Sequence, residues 1–355
     1  MRNHRLVMMQ AQRALRVLAL VAVASCRTAM PAQSVDVPGS AASASVAPPA
    51  PPDHWIPLIG EYGPDAGIRM VLERGGQLYL HTRDTLSDVR LTELSPDHFA
   101  LGNGTAADVV FTRGADKRPV AMAVGAQRFQ RRRTGPESGN QLVITPVRAL
   151  AEIRREALAA SPPSEPGPFR EADLVELTKL DPSIKLDIRY ATSNNLFGTP
   201  FYTQARAFLQ RPAAEALVRV NAALRQMGFG LLVHDGYRPW SVTKMFWDAA
   251  PEDKHIFVAN PAEGSKHNRG EAVDLSLYDL RTGAPVEMVS TYDETTDRAA
   301  ARYPGGTSRQ RWHREVLRRA MEAERFTVIP AEWWHFDYVD WRSYGIGNTA
   351  FEALR

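Results

Sequence analysis

Ser265-Lys266-His267-Asn268-Arg269-Gly270-Glu271-Ala272-Val273-Asp274-Leu275 decides how the second half of this chain folds. A histidine in a polar, glycine-containing loop comes first. An aspartate follows seven residues later, inside an apolar run, Ala272–Tyr278, that reads as a β-strand. A carboxylate in such a strand is costly to bury unless a cation or hydrogen-bond donors satisfy it. A metal ion would do so, since zinc accepts imidazole nitrogen and carboxylate oxygen at about 2 Å. The competing reading of this stretch alone is a surface histidine beside an aspartate that bonds a turn.

Two further stretches bear on the choice. Ala331-Glu332-Trp333-Trp334-His335-Phe336-Asp337-Tyr338 places a carboxylate and an imidazole in one aromatic run. Two tryptophans beside Glu332 lower the local dielectric and raise its pKa towards neutrality, which suits a general base. His267, Asp274 and His335 together make a three-ligand site with an open position for water, leaving Glu332 over as the base. In His234-Asp235-Gly236-Tyr237-Arg238-Pro239-Trp240 a short strand ends in a turn that projects Arg238 from a sheet edge. A fixed guanidinium there suits a developing oxyanion or a carboxylate.

Asp235-Gly-Tyr-Arg-Pro239, the Ser265–Leu275 stretch and Glu332-Trp-Trp-His335, in this order and spacing, resemble the D-alanyl-D-alanine dipeptidases of the zinc D,D-peptidase family. Asp187-Ile188-Arg189-Tyr190-Ala191-Thr192-Ser193-Asn194-Asn195-Leu196 is similar to that family's N-terminal motif. The resemblance spans roughly residues 172–340. It implies one zinc ion per chain on His267, Asp274 and His335, with Glu332 as catalytic base. It also implies that Arg238 stabilises the tetrahedral intermediate and that Ser265 lies near the substrate, D-Ala-D-Ala. A D,D- or L,D-carboxypeptidase acting on peptidoglycan stems, or a wall-binding lipoprotein without turnover, are the alternatives. Met288-Val289-Ser290-Thr291-Tyr292-Asp293 departs from the family's Gly-Thr-x-Phe-Asp element, and no histidine follows until His313, so the pocket shape is not carried over.

The expected fold class is α+β. Residues 171–355 mix helical patterns (Pro212–Met227, Trp240–Ala249, Gln310–Arg325) with strand-like runs (Ile184–Tyr190, Leu231–His234, Ala272–Tyr278, Thr327–Ile329) in a mainly antiparallel sheet. Residues 53–135 carry short β-rich runs: Gly67–Glu73, Gln77–His81, Val89–Glu93, Phe99–Gly102, Val109–Thr112 and Ala121–Phe129. Turn signals such as Gly75-Gly76 separate them, which predicts a small all-β sheet or barrel. A connector, residues 136–170, includes a helical stretch from Val147 to Ala160 ended by a proline-rich run.

The N-terminus reads as an export signal, residues 1–25. Arg2, Arg5, Arg13 and Arg16 lead into an apolar stretch, Val17–Ala24, too short to span a bilayer, which takes about 20 residues. Val23-Ala24-Ser25-Cys26 resembles the bacterial lipobox, implying cleavage before Cys26 and its lipidation. An ordinary cleaved signal with an incidental cysteine is the alternative. Arg27, by resemblance to lipoprotein sorting, points to the outer membrane facing the periplasm. Residues 26–52, rich in Pro, Ala and Ser, form a tether. Removing the leader's four arginines takes the formal charge from +3 to −1 (3 − 4), which gives no electrostatic argument for nucleic acid. Membrane contact would come only through a lipid on Cys26. With one cysteine, no intramolecular disulfide forms.

Overall fold

The computed structural model describes residues 46–83, 87–102, 107–134 and 143–354. The expected signal, Cys26 and most of the tether, residues 1–45, lie outside the described residues.

Turn chemistry organises the N-terminal unit. Among the described residues eight strands follow one another: β1 (Gly60–Tyr62), β2 (Arg69–Arg74), β3 (Gln77–Thr82), β4 (Ser87–Ser95), β5 (His98–Leu101), β6 (Asp108–Arg113), β7 (Pro119–Val124) and β8 (Gln127–Gln130). Each pairs antiparallel with its sequence neighbour. Gly75 and Gly76 adopt positive φ values of 57° and 74°, the conformation a two-residue hairpin demands. The chain after β8 returns to β1. Tyr62 bridges Arg131, the Gly63 amide donates to Gln130 O, and the Arg132 amide donates to Glu61 O. The meander thus closes into a barrel. Its interior is filled by Leu58, Tyr62, Val71, Leu78, Leu80, Leu91, Phe99, Val109, Phe111 and Met122.

The run Ala121–Phe129, expected as one strand, is split by a turn at Gly125 (φ 56°) into β7 and β8. β1 was not expected from the sequence; at three residues it is too short to show alternation.

Next come α1 (Leu150–Ala159), β9 (Leu174–Glu176), α2 (Leu177–Leu180), β10 (Lys185–Leu186), β11 (Phe208–Gln210), α3 (Arg211–Gln226), β12 (Phe229–Asp235), α4 (Trp240–Ala249), β13 (Ala272–Asp279), α5 (Ser308–Ala323), β14 (Phe326–Val328) and β15 (His335–Tyr338). Five strands form a sheet in the order β10-β12-β13-β15-β14; only β10–β12 is parallel. β9 and β11 make a separate two-stranded ribbon. The architecture is α+β, with a mainly antiparallel sheet and an all-β N-terminal barrel.

Local chemistry explains the elements. α3 starts with Pro212 in its first turn and buries Ala213, Leu217, Val220 and Leu224, one stripe at helical spacing. α5 opens on a capping box: Thr307 Oγ1 accepts from the Gln310 amide, and Gln310 Oε1 accepts from the Thr307 amide. β12 is buried along its whole length. At Gly230 a Cβ would lie 2.4 Å from the ring of Tyr278, its cross-strand partner, so this glycine makes room for an aromatic ring. The expected strand Ile184–Tyr190 is shorter than its pattern. Only Lys185 and Leu186 pair with β12; Arg189–Ala191 coil into a 3-10 turn that carries Tyr190 onto Phe246, ring centroids 4.5 Å apart.

Among the described residues no helix is long and apolar enough to cross a membrane.

Candidate metal centre

Strand register places the first two site residues. Asp274 of β13 pairs with His335 of β15, and Asp235 at the end of β12 pairs with Asp274 on the other side. Side chains opposite one another on one face have Cβ atoms about 4.5–5.5 Å apart, so Asp274 and His335 meet by construction. His335 Nδ1 lies 2.9 Å from Asp274 Oδ1. His267 arrives from a single 3-10 turn, His267–Arg269, that ends at Gly270 (φ 69°). A Cβ at Gly270 would sit 2.5 Å from the Leu174 side chain, so glycine is required twice over, for backbone and for space. His267 Nε2 lies 3.2 Å from His335 Nδ1 and 3.5 Å from Asp274 Oδ1.

These three atoms form a triangle whose edges match those of a tetrahedron with metal bonds of 2.0–2.1 Å, about 3.3 Å. The outer atoms assign the tautomers. His267 Nδ1 faces Gly236 O at 2.8 Å, and a carbonyl can only accept, so Nε2 is left with its lone pair inward. His335 Nε2 faces Asp337 Oδ1 at 3.0 Å, and Asp337 is also held by Lys266, so Nδ1 likewise points its lone pair inward. Asp274 Oδ2 accepts the Tyr292 hydroxyl at 3.0 Å, which orients the carboxylate. Three acceptors therefore converge on one point, an arrangement that calls for a cation. The electrostatics agree. Burial opposes a charged His335 imidazole, yet hydrogen bonds to Asp274 and Asp337 outweigh it and push it up to about 10. Burial likewise opposes charge on Asp274, and His267 and His335 overcome it, holding the carboxyl well below the usual range. A metal ion binds by displacing that proton. His267, Asp274 and His335, all buried, form a site for one metal ion.

Glu332 comes from the loop between β14 and β15. Its Oε2 is 3.9 Å from His335 Nδ1, and its side chain is 38% exposed, so it stands at the mouth of the site. Burial raises its pKa, opposed by His335 and reinforced by Asp274. Arg238 follows the end of β12, three residues beyond Asp235. Its Nη2 and Nε donate to Asp235 Oδ2 at 2.6 and 3.1 Å, and its guanidinium lies 4.9 Å from the Phe246 ring centre and 5.6 Å from that of Tyr190. Asp235 Oδ1 in turn accepts the Tyr202 hydroxyl at 2.7 Å. Asn268 stitches the Arg238 turn to the His267 loop, donating to Arg238 O and Thr243 Oγ1, each at 2.8 Å. Ser265 shapes that loop: its Oγ accepts from the His267 amide at 3.2 Å, and its own amide donates to Asn268 Oδ1 at 2.7 Å.

Asp293 was not singled out as a site residue, yet the structure brings it in. It follows Tyr292, the residue that holds Asp274, and has φ 61°, a left-handed conformation rare outside glycine. Its Oδ2 accepts the Tyr190 hydroxyl at 3.1 Å. Burial, then the charges of Asp274 and Glu332, push its carboxyl up to about 8. The stretch Met288–Asp293, a departure in the sequence, thus supplies both a support for a metal ligand and a second carboxyl. The aromatic–Asp ending it shares with the Gly-Thr-x-Phe-Asp element was the available signal. His313 lies elsewhere, on α5, with Nδ1 bonded to Glu287 O at 3.0 Å.

A family model described as D-ala-D-ala dipeptidase, peptidase M15, matches residues 170–345. The D-alanyl-D-alanine dipeptidase of Escherichia coli K12 is 33% identical over 182 residues, 51% of this chain and 93% of the relative. The chain belongs to the D-Ala-D-Ala dipeptidase family. Relatives of the same name in Enterococcus faecalis V583 (34% identity; 44% of this chain, 87% of the relative) and Streptomyces coelicolor A3(2) (32%; 46% and 90%) extend the match. In this family member the barrel lies wholly outside the matched residues, while the metal triad, Glu332, Arg238 and Asp293 lie within them.

Proposed function

We propose that this chain is a zinc-dependent dipeptidase that hydrolyses D-Ala-D-Ala in cell-wall peptide metabolism. The observation that carries the reading is the charge balance of one pocket. Asp235 is matched by Arg238. Three carboxyls remain, those of Asp274, Asp293 and Glu332; the charge of Asp274 raises the other two, and that of Glu332 also raises Asp293. A divalent ion beside His267, Asp274 and His335 and one ammonium group near Asp293 neutralise all three. A free dipeptide brings that ammonium; a peptide acylated at its amino end does not.

Zinc held by His267, Asp274 and His335 would supply a Lewis acid and would lower the pKa of the attacking water to about 7. The protein does the rest. Glu332, poised above the ordinary carboxylate range, takes the proton of the attacking water and returns it to the leaving amine. Arg238, fixed by Asp235 and packed beside the Phe246 and Tyr190 rings, presents its remaining donors to the developing oxyanion. Asp293 orients the substrate through its ammonium, with Tyr190 fixing the carboxyl. Turnover of D-Ala-D-Ala compared with N-acetyl-D-Ala-D-Ala tests this. The free dipeptide is expected to be preferred by at least ~10²-fold in kcat/KM, as unpaired buried charges exact in polar specificity. Equal turnover of the acylated peptide would move the assignment to a carboxypeptidase.

The leader supports a second proposal, that the mature protein begins at a lipidated Cys26 and works in the periplasm beside the outer membrane. The basic start, the short apolar run and the lone cysteine behind small residues motivate it. Cys26→Ala is expected to shift the protein from the membrane to the soluble fraction; a variant that still pellets with membranes contradicts the anchor.

A further inference from the structure

Among its described residues the barrel gathers no metal-binding cluster, yet three of its contacts converge on one segment of the peptidase domain. Glu61, 6% exposed, accepts the Tyr303 hydroxyl at 2.9 Å. Glu73, 1% exposed, accepts from the Ser308 amide at 2.6 Å and from the Ser308 hydroxyl at 3.0 Å. Glu73 thereby places a carboxylate at the N-terminus of α5, where the helix dipole favours a negative charge. Thr134, just beyond β8, bonds Arg298, whose other nitrogen donates to Val289 O at 3.0 Å. The outer face of β2 completes the junction: Met70 and Leu72 belong to the peptidase domain's core, whereas Val71 between them fills the barrel.

The segment so gripped, residues 289–308, is tied on its other side to the Glu332 loop. The Trp333 amide donates to Ala299 O at 2.8 Å, and the Ala301 amide donates to Pro330 O at 3.1 Å. The Trp333 indole donates to Ser290 Oγ at 2.8 Å. The same segment carries Tyr292 and Asp293. A path of hydrogen bonds, buried at Tyr303 and Trp333 and part-buried at Ser308 and Arg298, thus runs from the barrel to the Glu332 loop.

We propose that the barrel acts as a brace for the catalytic loops: Glu61 and Glu73 are positioning residues that, through Tyr303 and Ser308, hold residues 289–308 and with them Glu332 and Asp293 in reactive geometry. A misplacement near 1 Å at a catalytic group costs up to ~10²-fold in rate, so modest loosening of this segment is visible kinetically. The proposal rests on the reading of Glu332 as the base.

Excising the barrel would expose Met70's and Leu72's partners and unfold the core, so point variants of the full chain are the test. Tyr303→Phe, Glu73→Gln and the double variant are loaded with zinc and assayed on D-Ala-D-Ala. The brace predicts a fall in kcat of roughly 10- to 100-fold in the double variant, KM within about threefold, and zinc still at about one per chain. It also predicts faster amide exchange at residues 299–303 and 329–335. Arg113→Ala, which breaks the pair between the end of β6 and Asp97 in the β4–β5 turn, is the matched barrel lesion and keeps full turnover. A double variant with wild-type kcat overturns the proposal. So does a parallel loss of zinc and activity, which marks a role in folding alone. Should the double variant fail to fold, the single variants decide by the same readouts. Glu332→Gln assayed alongside separates the two readings: if it stays active the base assignment falls, whereas an inactive Glu332→Gln beside fully active barrel variants defeats only the brace.

Discussion

His98 and Asp108 in the barrel, and His335 and Asp274 in the peptidase domain, are the same two residue types on neighbouring antiparallel strands at the same 2.9 Å. The first pair is 37% and 59% exposed; the second is 12% and 6% exposed. Water screens the barrel pair, which is worth ~0–1 kcal/mol at most. In the peptidase domain a third acceptor, His267 Nε2, points at the same spot, and each outer nitrogen is already committed. Distance alone therefore does not make a metal site. Burial, a third converging lone pair and a fixed tautomer do.

The comparison can be broken at either end. His335→Ala removes one of three ligands, so metal content measured on the purified protein should drop far below one per chain and turnover should fall to background. A variant that keeps both would dissolve the distinction drawn here. His98→Ala should do almost nothing: zinc content and kcat unchanged, and stability within ~0.5 kcal/mol by denaturant titration, as for surface substitutions elsewhere. A large loss on His98→Ala would show that the exposed pair carries more than geometry suggests.

Much of this was legible in the sequence, and what was not has physical reasons. The motif residues His267, Asp274, His335, Glu332 and Arg238 stand in short stretches with strong local signatures; the structure gathers the first three within 4.8 Å of one another, with Glu332 3.9 Å from His335 and Arg238 bound to Asp235, the strand partner of Asp274. Ser265 stands among them, though its bonds shape the loop. The α+β class followed from alternating helical and strand patterns. Asp293 was missed because its role depends on a left-handed backbone at a residue that is not glycine, which no periodicity reveals. β15 was read as an aromatic run, since only its register against β13 makes it a strand. The brace was invisible because Glu73 and Ser308 are 235 residues apart, and nothing local in a buried carboxylate names so distant a partner. Ile184–Tyr190 looked like a full strand because the pattern does not record where the chain coils, carrying Arg189 towards Tyr292 and Tyr190 towards Asp293.

The central claim is that a metal ion on His267, Asp274 and His335 works with Glu332 as a base that is not itself a ligand. Glu332→Gln, assayed for zinc content and for D-Ala-D-Ala hydrolysis on the same preparation, tests it most directly. The account predicts zinc at about one per chain and a fall in kcat of ~10²–10⁴-fold, the range for lost general acid–base catalysis. A zinc-loaded Glu332→Gln protein with undiminished turnover would contradict it.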